Sequence, residues 1–253
     1  MSNRTILITG ATGKVGRVLV DHLLDAGDYV LATGRSKNRL DKLVAESAEY
    51  SERLSTLHVD LLAPNIGEVM LDKLKGLGKF PDGLVNNARD RAYLKTGNHG
   101  LVSRGQFVNE LTLGVVVPYE LTMALALADD SKLGSVVNIG SQYGIVAINP
   151  QLYSDQEHES PTHYGVAKAA LGQLTRELAV RLSGRGIRVN CVAFGGVEGR
   201  VDDAFRQRYA ELCPLGRMLK EEELPGPVDF LLSSAGSGIT GHVLLVDGGW
   251  TAW

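Results

Sequence analysis

The sequence contains little cysteine, no excess of one charge and no long hydrophobic run. Its two cysteines, Cys191 and Cys213, are too few for a disulfide framework in 253 residues. The formal charge is −3 with acids and bases mixed along the chain, so a nucleic-acid-binding surface is not expected. No run approaches the roughly 20 residues of a membrane helix, and an apolar strand begins too early for a signal peptide. We therefore expect a cytoplasmic protein that binds neither nucleic acid nor membrane.

Metal-binding patterns, internal repeats and flexible linkers are missing as well. The six histidines show no spacing of the H-E-x-x-H kind, which argues against a catalytic metal. Apolar residues make up 44% of the chain, enough for a sizeable core and too many for a disordered protein. Because glycine and proline cluster in loops without a break in composition, we expect residues 1–253 to form a single domain.

Short apolar runs alternate with longer amphipathic stretches along the whole chain. The strand candidates are residues 6–9, 29–33, 55–59, 83–86, 135–139, 187–192 and 242–246. Helical periodicity fills intervals such as 17–25, 108–128 and 167–183. The alternation predicts βα units, and strands that are apolar throughout are typical of a parallel sheet covered on both faces. The predicted fold class is α/β, a doubly wound, three-layer arrangement of the Rossmann type.

A glycine-rich turn follows the first apolar run. Gly10, Gly13 and Gly16 stand between the strand candidate 6–9 and the first amphipathic helix. In that context Gly10 permits a tight turn, Gly13 lets the backbone approach a pyrophosphate, and Gly16 allows close packing of helix on strand. Free N–H groups of the helix then face the phosphates. The glycines alone leave an ordinary strand-to-helix turn as the alternative.

The end of the second strand lacks the acidic residue that would accept hydrogen bonds from an adenosine ribose. Arg35 stands there and favours a 2′-phosphate, so NADP is the expected cofactor and NAD the second choice. Lys14 adds positive charge in the phosphate turn, although a solvated surface role is the alternative for both bases. Loops at the carboxyl ends of the next strands are further expected to line the ligand. The residues predicted there are Asp60, Leu61, Asn87 and Ala88.

A phenol and an ammonium group stand four residues apart in Tyr164-Gly-Val-Ala-Lys168, on one face of the segment if it is helical. A free phenol titrates near pH 10, at about the model value for tyrosine. A cation beside it stabilises the phenolate and brings proton transfer towards neutral pH. Taken alone, such a pair is more often a surface pair on a helix. Together with the glycine turn it indicates a nicotinamide-dependent oxidoreductase.

At this point the chain resembles the short-chain dehydrogenase/reductase family. The residues that carry the resemblance are 9–16, Asp60, 86–88, 138–141, 164–168, 187–190 and 246–249. They run from the first strand to the last, so the resemblance covers nearly the whole chain. It implies an NAD(P)-dependent enzyme that interconverts a secondary alcohol and a ketone on a small molecule. It also implies a homodimer or homotetramer.

The resemblance assigns roles to individual residues. Tyr164 would be the general acid in ketone reduction and the base in alcohol oxidation. Lys168 would stabilise the phenolate and bind the nicotinamide ribose, and Ser141 would donate a hydrogen bond to the substrate oxygen. The further cofactor-binding residues that it implies are Thr12, Val15, Ile139, Gly195 and Val197.

Two departures from the family pattern concern the cofactor and the proton path. Lys14 stands where single-domain members usually have a glycine, and the spacing of Gly13 suits the extended members. The catalytic asparagine that many members carry on the long middle helix aligns with Gly114, while the nearby Asn109 is out of register. The usual water-mediated proton relay through that asparagine is therefore not expected here.

Two further departures concern the substrate. Arg89 replaces the glycine of the family's Asn-Asn-Ala-Gly and could clamp a phosphate or carboxylate, with an Arg89–Asp90 surface cluster as the alternative. Ser141 and Tyr164 lie 164 − 141 = 23 positions apart, a longer interval than the family usually has. The extra polar residues fall within 144–162 and predict a loop at the substrate mouth and a hydroxylated substrate such as a sugar. A solvated decorative loop is the alternative.

These features define a set of expected substrate contacts. The residues are Arg89, Gln142, Tyr143 and Tyr153. The segment 197–213 matches the family's mobile lid and adds candidates, which have helix surface as their alternative role. They are Phe205, Arg206, Arg208 and Tyr209. The chain also has a narrower likeness to bacterial oxidoreductases of flagellin-glycan and nonulosonic-acid pathways. This likeness lies in the Asn-Asn-Ala-Arg motif, the insertion and the C-terminus. It implies that the substrate is a sugar phosphate or nucleotide sugar.

Two other functions remain open from the sequence. The glycine spacing is shared with sugar-nucleotide epimerases and dehydratases, which keep NAD tightly bound, but those enzymes usually need a longer C-terminal domain. A non-catalytic NADP-binding sensor or partner subunit is the other alternative. Gly114 favours it, and retention of Ser141, Tyr164 and Lys168 argues against it.

Overall fold

A computed structural model describes residues 4–159, 161–199 and 201–253. Its strands are β1 Thr5–Ile8, β2 Tyr29–Gly34, β3 Leu54–His58, β4 Gly83–Asn86, β5 Ser135–Ser141, β6 Arg188–Phe194 and β7 Val243–Val246. They form one parallel sheet in the order β3-β2-β1-β4-β5-β6-β7. The order reverses between β1 and β4, as it does in doubly wound folds. The predicted Rossmann-type α/β class is confirmed.

All seven predicted strands are present, with small shifts at their ends. β5 and β6 each run to a later residue than predicted, because the pairing continues to Ser141 opposite Phe194. Gly140 hid this extension in the sequence, since glycine weakens a strand signal. The longer β5 carries Ser141 to the carboxyl edge of the sheet.

Nine α-helices accompany the sheet in the described ranges. They are α1 Lys14–Asp25, α2 Lys37–Glu46, α3 Ile66–Leu77, α4 Arg104–Leu111, α5 Val117–Leu127, α6 Gln156–Glu159, α7 Thr162–Leu182, α8 Asp203–Leu212 and α9 Pro225–Leu232. Side chains of a strand alternate between the two faces of its sheet. Ile6 and Ile8 of β1 accordingly share a core with apolar residues of α1, α2 and α9. Leu7 belongs to the opposite core, with α3, α5 and α7. The sheet is therefore the middle of three layers.

The helices α4 and α5 are continuous, because Thr112–Val116 between them forms a π-helical turn. The combined helix, Arg104–Leu127, is long and apolar enough to cross a membrane by length and composition alone, although 44% of its most apolar window is buried in the protein. It packs against α3 and α7. We interpret it as a core helix in the same layer as α3 and α7, longer at its start than the sequence predicted.

The insertion within 144–162 is anchored to the C-terminal part of the chain. Leu152 is fully buried in a third apolar cluster, with Tyr209, Cys213, Met218 and Trp250. The Tyr209 and Trp250 rings stack with centroids 4.5 Å apart. A loop held in this way is more than solvated decoration, so the decorative alternative is wrong for this part of the insertion.

Candidate active site

The carboxyl ends of β1, β4 and β5 meet at the point where the strand order reverses. The glycine turn follows β1, Asn87 follows β4, and Ser141 ends β5. The first two turns of α7, which packs on β5 and β6, carry Tyr164 and Lys168 to the same edge. A switch point of this kind is where open parallel sheets bind their ligands.

The glycine turn is closed to any larger residue. Gly10 adopts a positive φ of 64°, and a Cβ there would lie 2.8 Å from the Ala88 Cα. A Cβ on Gly16 would lie 2.3 Å from the Gly10 carbonyl oxygen. Gly13 caps α1 in extended conformation, and the first helical turn begins at Lys14. Backbone N–H groups at such a helix start are suited to a diphosphate, so the turn fits a dinucleotide cofactor.

Asn87 braces this turn through its side chain. Its Nδ2 donates to the carbonyl oxygens of Thr9 and Gly10 at 2.9 and 3.1 Å. In return, the Thr9 hydroxyl accepts from the backbone N–H groups of Asn87 and Ala88 at 2.9 and 3.0 Å. These four bonds tie the β4 loop to the turn. Asn87 was predicted to bind cofactor, and the structure places its amide behind the turn as a support.

Both bases predicted for the cofactor have carboxylate partners. The Lys14 Nζ lies 3.2 Å from Glu221 Oε1, and the Arg35 guanidinium pairs with Asp90. Burial alone would raise the pKa of Asp90, but the Ala92 N–H and Arg35 outweigh it and lower that pKa. The predicted alternative of an Arg89–Asp90 cluster is therefore wrong, because Asp90 pairs with Arg35 instead.

The remaining predicted cofactor residues also lie along the carboxyl edge. Asp60 and Leu61 follow β3, and the Asp60 carboxylate accepts the Leu62 N–H at 3.0 Å. Gly195 and Val197 follow β6, and Val197 bridges to Leu219. Thr12 and Val15 are half-buried and flank the glycine turn. Ile139 is buried in β5.

Ser141, Tyr164 and Lys168 converge because the turn after β5 docks on the start of α7. A Cβ on Gly144 would lie 2.8 Å from the Lys168 carbonyl carbon, which shows how closely the turn approaches that helix. The Lys168 Nζ donates to the Ile139 carbonyl oxygen at 2.6 Å and lies 5.8 Å from the centroid of the Tyr164 ring. The Ser141 Oγ accepts the Tyr143 N–H at 3.2 Å, which leaves its own O–H to donate elsewhere.

Arg89 supplies a second cation beside the phenol. Its guanidinium carbon lies 4.2 Å from the centroid of the Tyr164 ring, well within cation–π range. The exposed Arg89 has no ion-pair partner among the residues that the structure describes. The sequence placed Arg89 near the pocket, but it did not predict this stacking on Tyr164.

The insertion contributes a second phenol to the site. The hydroxyls of Tyr143 and Tyr153 are 2.8 Å apart, and Tyr153 packs edge-on against Phe205. Burial raises the pKa of the Tyr143 hydroxyl, and the nearby Tyr164 adds to the rise. Burial likewise raises the pKa of Tyr153. Both predicted contacts therefore remain neutral hydroxyls near Tyr164, able to donate or accept hydrogen bonds.

Gln142 and Tyr209 do not fit their predicted substrate role. Gln142 is only 2% exposed and Tyr209 only 1%. The Tyr209 hydroxyl donates to Gln142 Oε1 at 3.0 Å and accepts the Gly196 N–H at 2.9 Å. These contacts lock the start of the lid against the turn after Ser141. The two side chains are buried against each other and against Gly196, and predicting them as substrate contacts was wrong.

The other lid candidates are held by the protein. Arg208 donates to the Leu152 carbonyl oxygen at 2.8 Å, Arg206 pairs with Asp203 on the surface, and Phe205 packs on the third apolar cluster. Arg208 and Phe205 thus hold α8 against the insertion, whereas the Arg206 pair lies within α8 itself.

Sequence reasoning missed a buried carboxyl group next to the site. Glu110 of α4 is only 3% exposed, and its Oε2 has no hydrogen-bond partner within the described ranges. Burial raises the pKa of Glu110, while the charges of Arg89, Lys168 and His163 act in the opposite direction. Its position four residues before Gly114 was the signal that could have found it.

The residue before the catalytic tyrosine candidate was also missed. His163 is fully buried, and its Nε2 lies 2.6 Å from the Tyr93 carbonyl oxygen. Because a carbonyl can only accept, Nε2 carries a proton. Its Nδ1 has no partner in the part of the chain that the structure describes. The ring packs against Phe107 of α4, with centroids 5.7 Å apart.

Together the fold and the site define a dinucleotide-dependent oxidoreductase. Residues 10–251 match the family described as enoyl-(acyl carrier protein) reductase, and the chain belongs to the short-chain dehydrogenase/reductase family. As expected for that family, it is an NAD(P)-dependent enzyme.

Individual relatives have different activities. The chain is 30% identical to a 3-oxoacyl-(acyl-carrier-protein) reductase of Aquifex aeolicus, with 98% of both chains covered. It is 26% identical to post-translational flagellin modification protein A of Campylobacter coli, with 99% of both covered. A short-chain dehydrogenase of Leptospira borgpetersenii with bound NAD+ superposes with a TM-score of 0.86 at 28% identity, covering 98% of this chain and 93% of that one.

Proposed function

We propose that this single-domain chain is an NADP-dependent enzyme that interconverts a secondary alcohol and a ketone on a polar, sugar-like substrate with an anionic group. The observation that carries the proposal is the position of Tyr164. Its ring has Arg89 and Lys168 beside it, 4.2 and 5.8 Å from the centroid, at the edge where the glycine turn opens.

Tyr164 moves the proton. In ketone reduction its hydroxyl gives a proton to the substrate oxygen, and in alcohol oxidation the phenolate takes it back. Lys168 and Arg89 stabilise the phenolate because both place positive charge next to the ring. Ser141 donates a hydrogen bond to the same substrate oxygen. The nicotinamide cofactor, when bound, supplies or accepts the hydride.

The cofactor preference rests on Arg35. Its side chain is 61% exposed where β2 ends, so it can exchange Asp90 for a 2′-phosphate. The bound NAD+ of the Leptospira structure favours NAD as the alternative cofactor. We expect Arg35→Ala to reduce the preference for NADPH over NADH by about tenfold, which corresponds to about 1.4 kcal/mol. An unchanged ratio of kcat/KM values for the two cofactors would contradict the NADP assignment.

The substrate class rests on three side chains around Tyr164. Arg89 offers a planar fork that suits a phosphate or carboxylate, and Tyr143 and Tyr153 offer paired hydroxyls 2.8 Å apart. A sugar phosphate or nucleotide sugar would use both features. The Campylobacter relative, which acts in flagellin modification by its name, is consistent with this class.

A turnover screen tests the proposal. Purified protein is assayed for NADPH oxidation with keto-sugars, their phosphates and nucleotide sugars, alongside Tyr164→Phe. Turnover that survives this substitution unchanged would contradict the assigned acid. Turnover of 3-oxoacyl thioesters alone would move the substrate to the class of the Aquifex relative. Copurified NAD would instead favour an epimerase, and cofactor binding without turnover would favour a sensor.

We also propose a cytoplasmic homodimer or homotetramer. Support for assembly comes from exposed apolar side chains on the outer faces of α5 and α7. They are Tyr119, Leu127, Val166 and Val180. Support for a reducing compartment comes from Cys191 and Cys213, which are both free. Light scattering on the purified protein measures the assembly, and a monomer at micromolar concentration would contradict it.

A further inference from the structure

Two buried polar atoms without a partner lie beside the proposed catalytic pair. They are Glu110 Oε2 on α4 and His163 Nδ1 on α7, and neither has a hydrogen-bond partner among the described residues. The two helices pack against each other there, with the Phe107 and His163 rings in contact. Buried polar atoms are rarely left unsatisfied, so we expect internal water at this place.

The two atoms have complementary hydrogen-bonding needs. With Nε2 donating to Tyr93, a neutral His163 ring presents Nδ1 as an acceptor. A protonated Glu110 presents an O–H donor, and an ionised one presents an acceptor for a protonated ring. Because the two atoms are not bonded directly to each other, one proton on either group satisfies both through an intervening water.

The surroundings of the Glu110 carboxyl act on its proton in opposing directions. Burial favours the neutral carboxyl and raises the pKa of Glu110, as does Asp90. Arg89, Lys168 and His163 favour the carboxylate. Each charge state of the carboxyl therefore has neighbouring groups that favour it.

Gly114 shows why such a group is needed. It occupies the place of the family's usual asparagine, and a Cβ there would meet the Ala167 Cβ at 3.6 Å, next to Lys168. Glu110 precedes it by one helical turn and so shares its face of the helix. The helix thus offers a carboxyl group close to the place where the family's amide is missing.

We propose that Glu110 and His163 hold one exchangeable proton beside Lys168 and use it to restore the proton that Tyr164 gives up. The inference rests on the proposed ketone reduction, which consumes one proton from solution for each hydride transferred. The Tyr164 O–H bond breaks as the alcohol O–H bond forms. The Lys168 ammonium then reprotonates the phenolate, and the pair reprotonates the Lys168 amine through water. Solvent finally returns a proton to the pair, so atoms and charge balance.

Glu110→Gln and His163→Gln are the decisive substitutions. His163→Gln keeps a donor for the Tyr93 carbonyl but removes Nδ1, whereas His163→Asn places a polar atom near the Nδ1 position. We expect Glu110→Gln and His163→Gln to lower kcat for ketone reduction about 100-fold, at the lower end of general acid–base effects. KM for both substrates should change little, and the solvent deuterium isotope effect on kcat should increase. Glu110→Asp and His163→Asn should recover part of the loss.

The matched control is Thr122→Val. Thr122 is also fully buried on the same long helix, and its hydroxyl also lacks a partner within the described ranges. It lies two turns beyond Gly114, so we expect kcat and its pH profile to match the unmodified enzyme. A loss equal to that of Glu110→Gln would mean that any polar change in this helix impairs the fold, and the inference would fail.

A measurement without cofactor provides an independent readout. The infrared band of a protonated carboxyl group should titrate in the cofactor-free protein, disappear in Glu110→Gln and shift its midpoint in His163→Gln. If Glu110→Gln does not fold, His163→Gln carries the same test. A Glu110→Gln enzyme with unchanged kcat and isotope effect overturns this inference alone, provided that Tyr164→Phe is inactive. An active Tyr164→Phe overturns the proposed function itself.

Discussion

The two sides of the active site are built in different ways. On the cofactor side, the turn of Gly10 and Gly16 is shaped by backbone atoms that approach too closely for any Cβ. On the substrate side, Arg89, Tyr153 and Glu110 come from three separate segments and meet only through packing. The first side depends on local backbone sterics, and the second depends on which side chains the fold buries together.

This difference determines what each side tolerates. A steric requirement of the backbone leaves one residue type possible, and a wrong residue shifts the turn. The charges around Tyr164 come from two residues, since Arg89 and Lys168 both lie beside the same ring. Loss of one of them therefore leaves the other in place. We therefore expect abrupt losses on the cofactor side and graded losses on the substrate side, except at Tyr164.

Tyr164→Phe should have the largest effect. Removal of the hydroxyl that exchanges the proton should lower kcat about 1,000-fold, within the range for general acid–base catalysis. The measurement is steady-state NADPH oxidation with the best ketone found in the screen. Tyr50→Phe is the control, because Tyr50 lies in the segment between α2 and β3 and its hydroxyl donates to Asp25. A shared loss in both variants would show that the assay reports folding.

Gly16→Ala should come next. Its Cβ would stand 2.3 Å from a carbonyl oxygen and 2.9 Å from the Ala11 Cα, so the turn must shift. We expect a stability loss of about 1–3 kcal/mol, typical of overpacking, and cofactor affinity at least about tenfold weaker, or 1.4 kcal/mol. Thermal unfolding and cofactor titration measure the two effects.

Gly76→Ala is the matched control for that substitution. Gly76 lies inside α3, and a Cβ there would have no described atom within 4 Å. Alanine should therefore stabilise the helix by about 0.5–1 kcal/mol and leave cofactor affinity unchanged. Equal cofactor affinities in Gly16→Ala and the unmodified protein would contradict the conclusion that backbone sterics of the glycine turn determine cofactor binding.

The sequence was sufficient for the fold and for the position of the glycine turn. Continuous apolar strands, helical periodicity and glycine spacing are local signals, and each became the expected element at the expected edge. Lys14 and Arg35 were located by the same reasoning, but their partners Glu221 and Asp90 were not. Partner choice depends on loop paths that a local signal does not contain.

The substrate side was only partly predictable. Arg89 stood out because it replaces a family glycine, and Tyr153 because it lies in an insertion. Gln142 and Tyr209 were misassigned, since their burial against each other comes from the path of the lid. Glu110 was overlooked because a single carboxyl on an amphipathic helix normally faces solvent, whereas this one is buried by the packing of α4 on the rest of the fold, α7 included.

Arg89→Gln tests the graded behaviour of the substrate side. Loss of the cation–π contact should cost about 0.5–2 kcal/mol, or roughly two- to thirtyfold in kcat/KM. If Arg89 also binds an anionic group, the loss should be larger for a sugar phosphate than for the free sugar. Arg89→Lys keeps the charge and should retain part of the activity. Equal losses for phosphorylated and free substrates would contradict an anion-binding role and leave only the contact with Tyr164.

The smallest expected effect is on stability, and it separates Glu110 from the other carboxyls. Because burial raises the folded-state pKa of Glu110 above its usual value of 4.5, the folded protein binds this proton more tightly than the unfolded chain does. The resulting stabilisation is present below pH 4.5 and is lost as the pH rises through the folded-state pKa. Glu110→Gln should therefore raise Tm relative to the unmodified protein, and by more at neutral pH than at acid pH. Asp90→Asn should instead lower Tm, and by more at neutral pH than at acid pH. The reason is that Asp90 has a lowered pKa and stabilises the folded protein most when it is ionised. Parallel pH curves of Tm for both variants would show that Glu110 is solvated like a surface carboxyl, and the substrate side would then contain no buried acid.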